Sequence, residues 1–551
     1  MTEPRRTRAP LGALAALTAI AVLGAVAWFA QPAPSEPDPA PEDTDTPTSK
    51  PRPPAGDQPN VVILMWDTVR ADRLGIYGYG LPTTPALDRF AQGATVYARA
   101  VSPAIWTPPS HASLFTGLAP KQHGVDATYK WLDNHHTTLA EILGDAGFDT
   151  YAFSSNPYVS AKTNLLQGFA TQDFSFEKPW KKEAKAATES KLLPNDRSTD
   201  ISPGWTPVPG QAKAGETHAY KDAGPVIQRA FTEWLDARPE QERPFFAYLN
   251  YMEAHIPRVP SMASRQLMMT EPQIQIALET DVSQINLLSY IFGKLEYTPE
   301  QLEAINRTYD ASVRDLDAAV GGLLDDLERR GTLDDTVIVI MADHGENLGD
   351  HHMFGHKYSM WDTLLSVPLL IRYPKAMAPG RQETPVSTLD VFATILDLTG
   401  LPAREGVTSR SLRSRGNELY TLFSDMISAT PTAIKRVDST HGLEDETKWL
   451  RTFKAAEREG WKYIRGSDES CQLYHLPDDK AEAKNLCEAE PARVASLGTE
   501  LDAWLAAIPA YDESKRAEDD QAQPLSRETR QMLKELGYLD GDGKEEPAEE
   551  P

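Results

Sequence analysis

Cysteine is nearly missing from this chain: among 551 residues there are two, Cys471 and Cys487, both near the carboxyl end. So few thiols exclude zinc fingers, iron–sulfur clusters and a cysteine nucleophile. Basic charge is also short, with 55 lysines and arginines against 80 acidic residues and a formal charge of -25. That balance argues against a general nucleic-acid binder and favours solubility. No internal repeat recurs. Apolar content of 40% and charged content of 25% are ordinary for a globular protein, and the length calls for a large core with a smaller companion domain.

The amino terminus stands apart from the fold. MTEPRRTRAP carries three arginines and precedes LGALAALTAIAVLGAVAWFA, an uncharged run over residues 11–30 of about the length that spans a bilayer. Basic residues before the run and none just after it set the amino end inside and the remainder outside. Residues 1–30 therefore read as a signal anchor or, because Ala25-Val26-Ala27 follows a shorter apolar core, as a cleaved signal peptide. Either reading exports the body of the protein to a periplasmic or extracellular face, with the membrane as a partner if the segment stays. Exported, an even cysteine pair favours a local Cys471–Cys487 disulfide. Residues 31–57 are rich in proline and acid and read as an extended linker.

The body begins at residue 58. NVVILMWD (60–67) and TVIVIMAD (336–343) are continuous apolar runs ending in a charge, the pattern of strands buried on both faces. FFAYLNYMEAH (245–255) and FDTYAF (148–153) follow the same pattern. Between them lie amphipathic helices: TLAEILGDAG (138–147), TLDVFATILDLTG (388–400) and a long one opened by TPEQ (298–301). In that opening, threonine caps, proline takes the first helical position and glutamine the third. This alternation predicts an α/β fold, a mostly parallel central sheet flanked by helices over 58–405. Residues 177–222, rich in lysine, proline and glycine, read as an inserted loop or lid. A small α+β subdomain is expected over 406–515, and an acidic, partly disordered tail over 516–551.

In open α/β sheets ligands collect at the carboxyl ends of strands, where Asp67 and Asp343 both fall. A carboxylate buried there needs a partner, and a divalent cation held by Asp67, Asp343 and His344 supplies one. In WTPPSHASLFTG (106–117), Thr107 precedes two prolines and is placed to cap a helix that Pro108 begins and Gly117 ends. A helix amino terminus favours anions, and a cation beside Thr107 lowers the hydroxyl pKa and aims the oxygen at a bound anion.

Taken in order, NVVILMWDTVRAD, TPPSHASLFTG, APKQHGV, MADHGENLGDH and VPLLIRYP resemble the sulfatase family of the alkaline phosphatase superfamily. The resemblance covers about residues 58–510 and extends to WKYI, QLYHL and the closing LKELGYLDG. It implies an alkaline-phosphatase-like fold and an ester hydrolase using one divalent cation, Ca²⁺, Mg²⁺ or Mn²⁺. The implied metal ligands are Asp67, Asp343, His344 and the nucleophile Thr107. His111 stands at the family's arginine position, and His255, in EAHIP, at the histidine near the leaving group. Either His356 or Lys357 matches the family's basic residue in FGHKYSMWD. Asn156 replaces the usual lysine–histidine pair as a substrate-binding residue, His123 matches a common family histidine, and Trp66 stands where a second acid is usual.

Threonine at 107 is a departure with chemical weight. Family members with cysteine or serine there convert it to formylglycine, and none is expected here. A threonyl intermediate has to be released by water or another acceptor attacking the central atom, which phosphorus tolerates better than sulfur. The expectation is therefore an exported hydrolase of phosphate diesters or phosphonates acting on a small anionic ester or a glycan or lipid head group. Three alternatives stay open: a sulfuric ester hydrolase, a membrane-anchored phosphoryl transferase of the phosphoethanolamine or phosphoglycerol type, and a non-catalytic glycan-binding homologue. The oligomeric state is not read from the sequence.

Overall fold

The computed structural model describes residues 58–193, 196, 221–414, 422–426 and 447–515. The proposed anchor, the linker, most of the insertion and the tail lie outside them. No helix among the described residues is long and apolar enough to cross a membrane.

Eight strands make the central sheet: β1 (Asn60–Trp66), β2 (Thr95–Tyr97), β3 (Asp149–Ser154), β4 (Thr171–Phe174), β5 (Phe245–Tyr251), β6 (Thr336–Met341), β7 (Leu369–Arg372) and β8 (Gly380–Gln382), in the spatial order β8-β2-β7-β6-β1-β5-β3-β4. The sheet is parallel except for β7, which runs against both its neighbours. The apolar runs do form the centre: β1 lies between β5 and β6, and all three are buried along nearly their whole length. Their register is level. Met65 is opposite both Asn250 and Met341, so the residues after β1 and β6 leave the sheet side by side.

Helices cover the sheet: α1 (Thr107–Thr116), α2 (Leu139–Asp145), α3 (Lys181–Glu189), α4 (Gly224–Ala237), α5 (Pro299–Arg329) and α6 (Val391–Leu398). The TPEQ signal performs as expected, with Thr298 Oγ1 accepting the Gln301 amide and Pro299 opening a helix of 31 residues. Its stripe of Tyr309, Val313, Leu316, Val320, Leu323 and Leu327 is buried in the main core. Two local expectations are corrected. Helix α3 lies inside the segment read as loop or lid, because KKEAKAATE consists largely of strong helix formers. Thr107 is the first helical residue and not the cap; extended Trp106 holds that place.

The carboxyl-terminal part is a four-stranded antiparallel sheet, β9 (Leu422–Met426), β10 (Phe453–Arg458), β11 (Trp461–Gly466) and β12 (Cys471–His475), with α7 (Pro491–Ala507) laid on it through Leu497 and Leu501. Cys471 and Cys487 form a disulfide. A buried charge cluster ties this sheet to the main body: Arg99 makes ion pairs with Asp362 (2.6 Å) and Glu457 (2.5 Å), and Lys462 with Asp362 and Glu482 (both 2.8 Å).

Candidate active site

The chain turns sharply as it leaves β1. Asp67 donates its amide to Tyr251 O at 3.0 Å, and Thr68 adopts a left-handed φ of 61°. That turn points the Thr68 amide at Asp343 Oδ1 (3.2 Å), which also accepts the His344 amide (2.9 Å). Trp66 alternates to the opposite face and its ring is in the hydrophobic core. The residue beside Asp67 that faces Asp343 is thus Thr68, through its amide, and not Trp66.

Asp67, Asp343 and His344 are fully buried, and each offers one ligand atom within 4.8 Å of the others. Asp67 Oδ1 and Asp343 Oδ2 have no hydrogen-bond donor. His344 Nδ1 donates to Gly345 O at 2.9 Å, which leaves Nε2 as the ring's lone-pair atom. Two orphaned carboxylate oxygens and one imidazole lone pair converging in a fully buried site fit a divalent cation. Burial pushes both carboxyls up, Asp343 to about 7, and repulsion from Asp343 adds to the rise at Asp67, while burial and nearby His356 hold His344 well below its usual range. Gly345 cannot carry a side chain: a Cβ there would sit 2.0 Å from Thr363 O.

Thr107 Oγ1 lies 3.4 Å from His344 Nε2 and 3.4 Å from Asn156 Nδ2. Pro108 and Pro109 shape the first turn of α1, and Gly117, at φ 71°, ends it. Two hydroxyls fasten α1 and its approach to the end of β6, Ser102 and Ser110 both donating to Asp343 O, at 2.6 and 2.8 Å. Asn156 bridges nucleophile candidate and acid. Its Oδ1 is taken by the Tyr158 amide (2.9 Å), which turns Nδ2 to Asp67 Oδ2 (2.8 Å) and to Thr107.

His111 is buried beneath this group. Nδ1 donates to Thr107 O (2.8 Å) and Nε2 accepts from the Tyr248 hydroxyl (2.5 Å). Burial pulls it down to about 4, so the position that corresponds to an arginine holds a neutral ring. His255 donates Nδ1 to Ile256 O (2.5 Å), and the Lys221 ammonium grips the carbonyls of His255 and Pro257. The His356 ring packs against those of His344 (4.5 Å) and His255 (5.3 Å), whereas Lys357 is half-buried at the next position. His123 serves packing, with Nε2 on Ser113 Oγ (3.1 Å) and Nδ1 accepting the Val125 amide (3.0 Å).

The structure therefore gathers Asp67, Thr107, Asn156, Asp343, His344, His255 and His356 around one point and places His111 just below it. Sequence reasoning missed Thr68, Ser102, Ser110, Lys221, Tyr248, Arg258 and Glu346. Glu346 lies within the MADHGENLGDH stretch, but its sequence neighbours name no partner for it.

Comparison with known proteins identifies the family and the fold. The sulfatase family model matches residues 59–401. Arylsulfatase K of Bos taurus is 24% identical over 477 residues, 81% of each chain. The choline-sulfatase of Rhizobium meliloti is 25% identical over 466 residues, 78% of this chain and 83% of that one. Among solved structures, the phosphonate monoester hydrolase of Agrobacterium radiobacter shares the fold, with a TM-score of 0.61, 22% identity, and coverage of 82% of this chain and 96% of that one.

Proposed function

The chain belongs to the sulfatase family and is an ester hydrolase, and from that premise we propose that it is exported and cleaves phosphate diesters or phosphonate monoesters with Thr107 as nucleophile. The observation that carries the reading is the Thr107 hydroxyl, 3.4 Å from His344 Nε2 beside two buried carboxylates with orphaned oxygens. Asp67, Asp343 and His344, with Thr107 as a further ligand, would hold a divalent cation, whose charge would acidify the hydroxyl and balance the anionic ester.

The chain's own residues do the rest. Thr107 Oγ1 forms a bond to phosphorus as the bond to the leaving oxygen breaks; the hydroxyl's proton goes to the lone pair of His255 Nε2, whose Nδ1–H is committed to Ile256 O, and from there to the leaving oxygen. Asn156, steered by the Tyr158 amide, donates from Nδ2 toward the attacking oxygen and Asp67. His356 lines the far wall. Water then attacks phosphorus, the bond to Thr107 Oγ1 breaks, and the hydroxyl is regenerated with release of the cleaved product. No oxidation of residue 107 is required, so formylglycine has no place in the cycle. Neutral His111 adds no positive charge and instead holds the first turn of α1 through Thr107 O.

Purified protein supplied with Mn²⁺, Mg²⁺ or Ca²⁺ is expected to hydrolyse an aryl phosphodiester or phosphonate. Thr107→Ala is expected to abolish this, and peptide mass spectrometry to find residue 107 as plain threonine. Equal turnover by the alanine variant refutes the nucleophile. The sulfatases among the relatives make an aryl sulfate the necessary parallel substrate, and faster turnover of it moves the assignment to sulfuric esters. The Cys471–Cys487 disulfide supports an oxidising compartment, and membrane fractionation with protease accessibility tests anchoring by residues 11–30.

A further inference from the structure

Glu346 follows the His344-Gly345 turn and is fully buried, yet it belongs to no ligand set described above. Each carboxylate oxygen has a partner. Oε1 accepts from His356 Nδ1 at 3.1 Å, and Oε2 accepts from Arg258 at 2.7 Å. Arg258 is buried as well; its Nε donates to Ala254 O at 2.8 Å, and its guanidinium lies 5.0 Å over the Tyr309 ring. Tyr309 donates its hydroxyl to Thr68 O at 2.9 Å, which closes the path back to the turn after β1. One carboxylate thus reaches two site histidines, His356 directly and His255 through the Arg258 grip on the preceding residue.

We propose that Glu346 is a positioning residue that fixes the orientation of the His356 ring through Nδ1 and holds it in the Nδ1–H tautomer, and that Arg258 holds the carboxylate to that task. An ionised carboxylate only accepts, so the hydrogen between Glu346 and His356 sits on Nδ1. Arginine only donates, so the oxygen facing Arg258 is committed. Glu346→Gln keeps the shape and inverts the chemistry. The amide oxygen is claimed by Arg258, the amide nitrogen then faces Nδ1 as a donor, and the ring is driven to the Nε2–H form.

The kinetic arm of the test rests on the ester-hydrolase mechanism proposed above; the spectroscopic arm does not. Full-length, metal-loaded protein labelled with ¹⁵N-histidine is compared as wild type, Glu346→Gln and His356→Gln, the last identifying the His356 signals. Wild-type His356 is expected to carry a proton on Nδ1, and the Glu346→Gln protein to carry it on Nε2 alone. With an aryl phosphodiester, kcat of Glu346→Gln is expected to fall about 10²–10³-fold with KM within about threefold. Placed in the His356→Gln background, the same change is expected to cost no more than about twofold, since the two act as one unit. A wild-type ring protonated on Nε2 alone overturns the proposal, as do a kcat within about threefold of wild type or effects that multiply independently. If Glu346→Gln does not fold, the wild-type spectrum still decides. If wild type cleaves no ester, the assigned function fails and the spectrum alone judges Glu346.

Discussion

Asp67→Asn separates the two demands placed on the site, holding a cation and holding the fold. The ligand atoms of Asp67 and Asp343 lie within 4.8 Å of each other, both residues are fully buried, and each has one oxygen without a donor. At an effective dielectric constant of about 20, two unit charges at that spacing repel by about 3 kcal/mol. Asparagine removes the repulsion. Its oxygen can accept the Asn156 Nδ2 hydrogen now given to Asp67 Oδ2 (2.8 Å), and its amide can donate to the orphaned Asp343 Oδ2. Metal-free Asp67→Asn is therefore expected to be more stable than metal-free wild type by about 1–3 kcal/mol, a rise of roughly 1–3 °C for a chain of this length. Scanning calorimetry in chelator and in excess Mn²⁺, Mg²⁺ or Ca²⁺ measures it. Wild type is expected to gain stability with cation and the variant to gain none. A metal-free variant that melts below metal-free wild type refutes the reasoning, because the carboxylate would then be holding Asn156 for structural ends.

Further tests address the carboxyl-terminal sheet. Burial pushes Glu482 up to about 7 from the 4.5 of an ordinary glutamate, so the folded protein binds the extra proton between those values. The stability contributed by that proton is complete below about 4.5 and is lost as pH rises to about 7. The loss is about 3 kcal/mol, and Glu482→Gln is expected to flatten the dependence in unfolding scans from pH 5 to 7.5. Cys471 and Cys487 close a loop with a sequence separation of 16, worth about 3 kcal/mol of unfolded-state entropy. The Cys471→Ser/Cys487→Ser protein is expected to lose about that much in denaturant titrations, with kcat unchanged because the loop lies outside the gathered site.

The centre of the sheet was legible because β1, β5 and β6 are flanked on both sides, and only apolar residues suit that position. The cap at Thr298 was equally plain. Asp67, Asp343 and His344 could be paired without coordinates because charges that end buried strands of one parallel sheet emerge on one edge. What escaped was set by geometry that no spacing records. The left-handed turn at Thr68, and not the neighbouring letter Trp66, decides what faces Asp343. Reversed β7 cannot be told from a parallel strand by its four apolar-rich residues. Arg258 and Glu346 meet across 88 residues and Arg99 and Glu457 across 358, and each alone reads as an ordinary surface charge. Helix α3 was hidden by its lysines, which suggest a loop by polarity while their propensity favours a helix.

Arg99 stands eight positions ahead of Thr107, and two of its anionic partners, Asp362 and Glu457, come late in the chain. Lys121, just beyond α1, likewise spends its ammonium on the carbonyls of Leu505 and Ile508. Both flanks of the helix that begins at Thr107 thus stay unfinished until residues 457–508 have been made. A ribosome-bound chain that stops short of them lacks the late partners that brace this helix on either side.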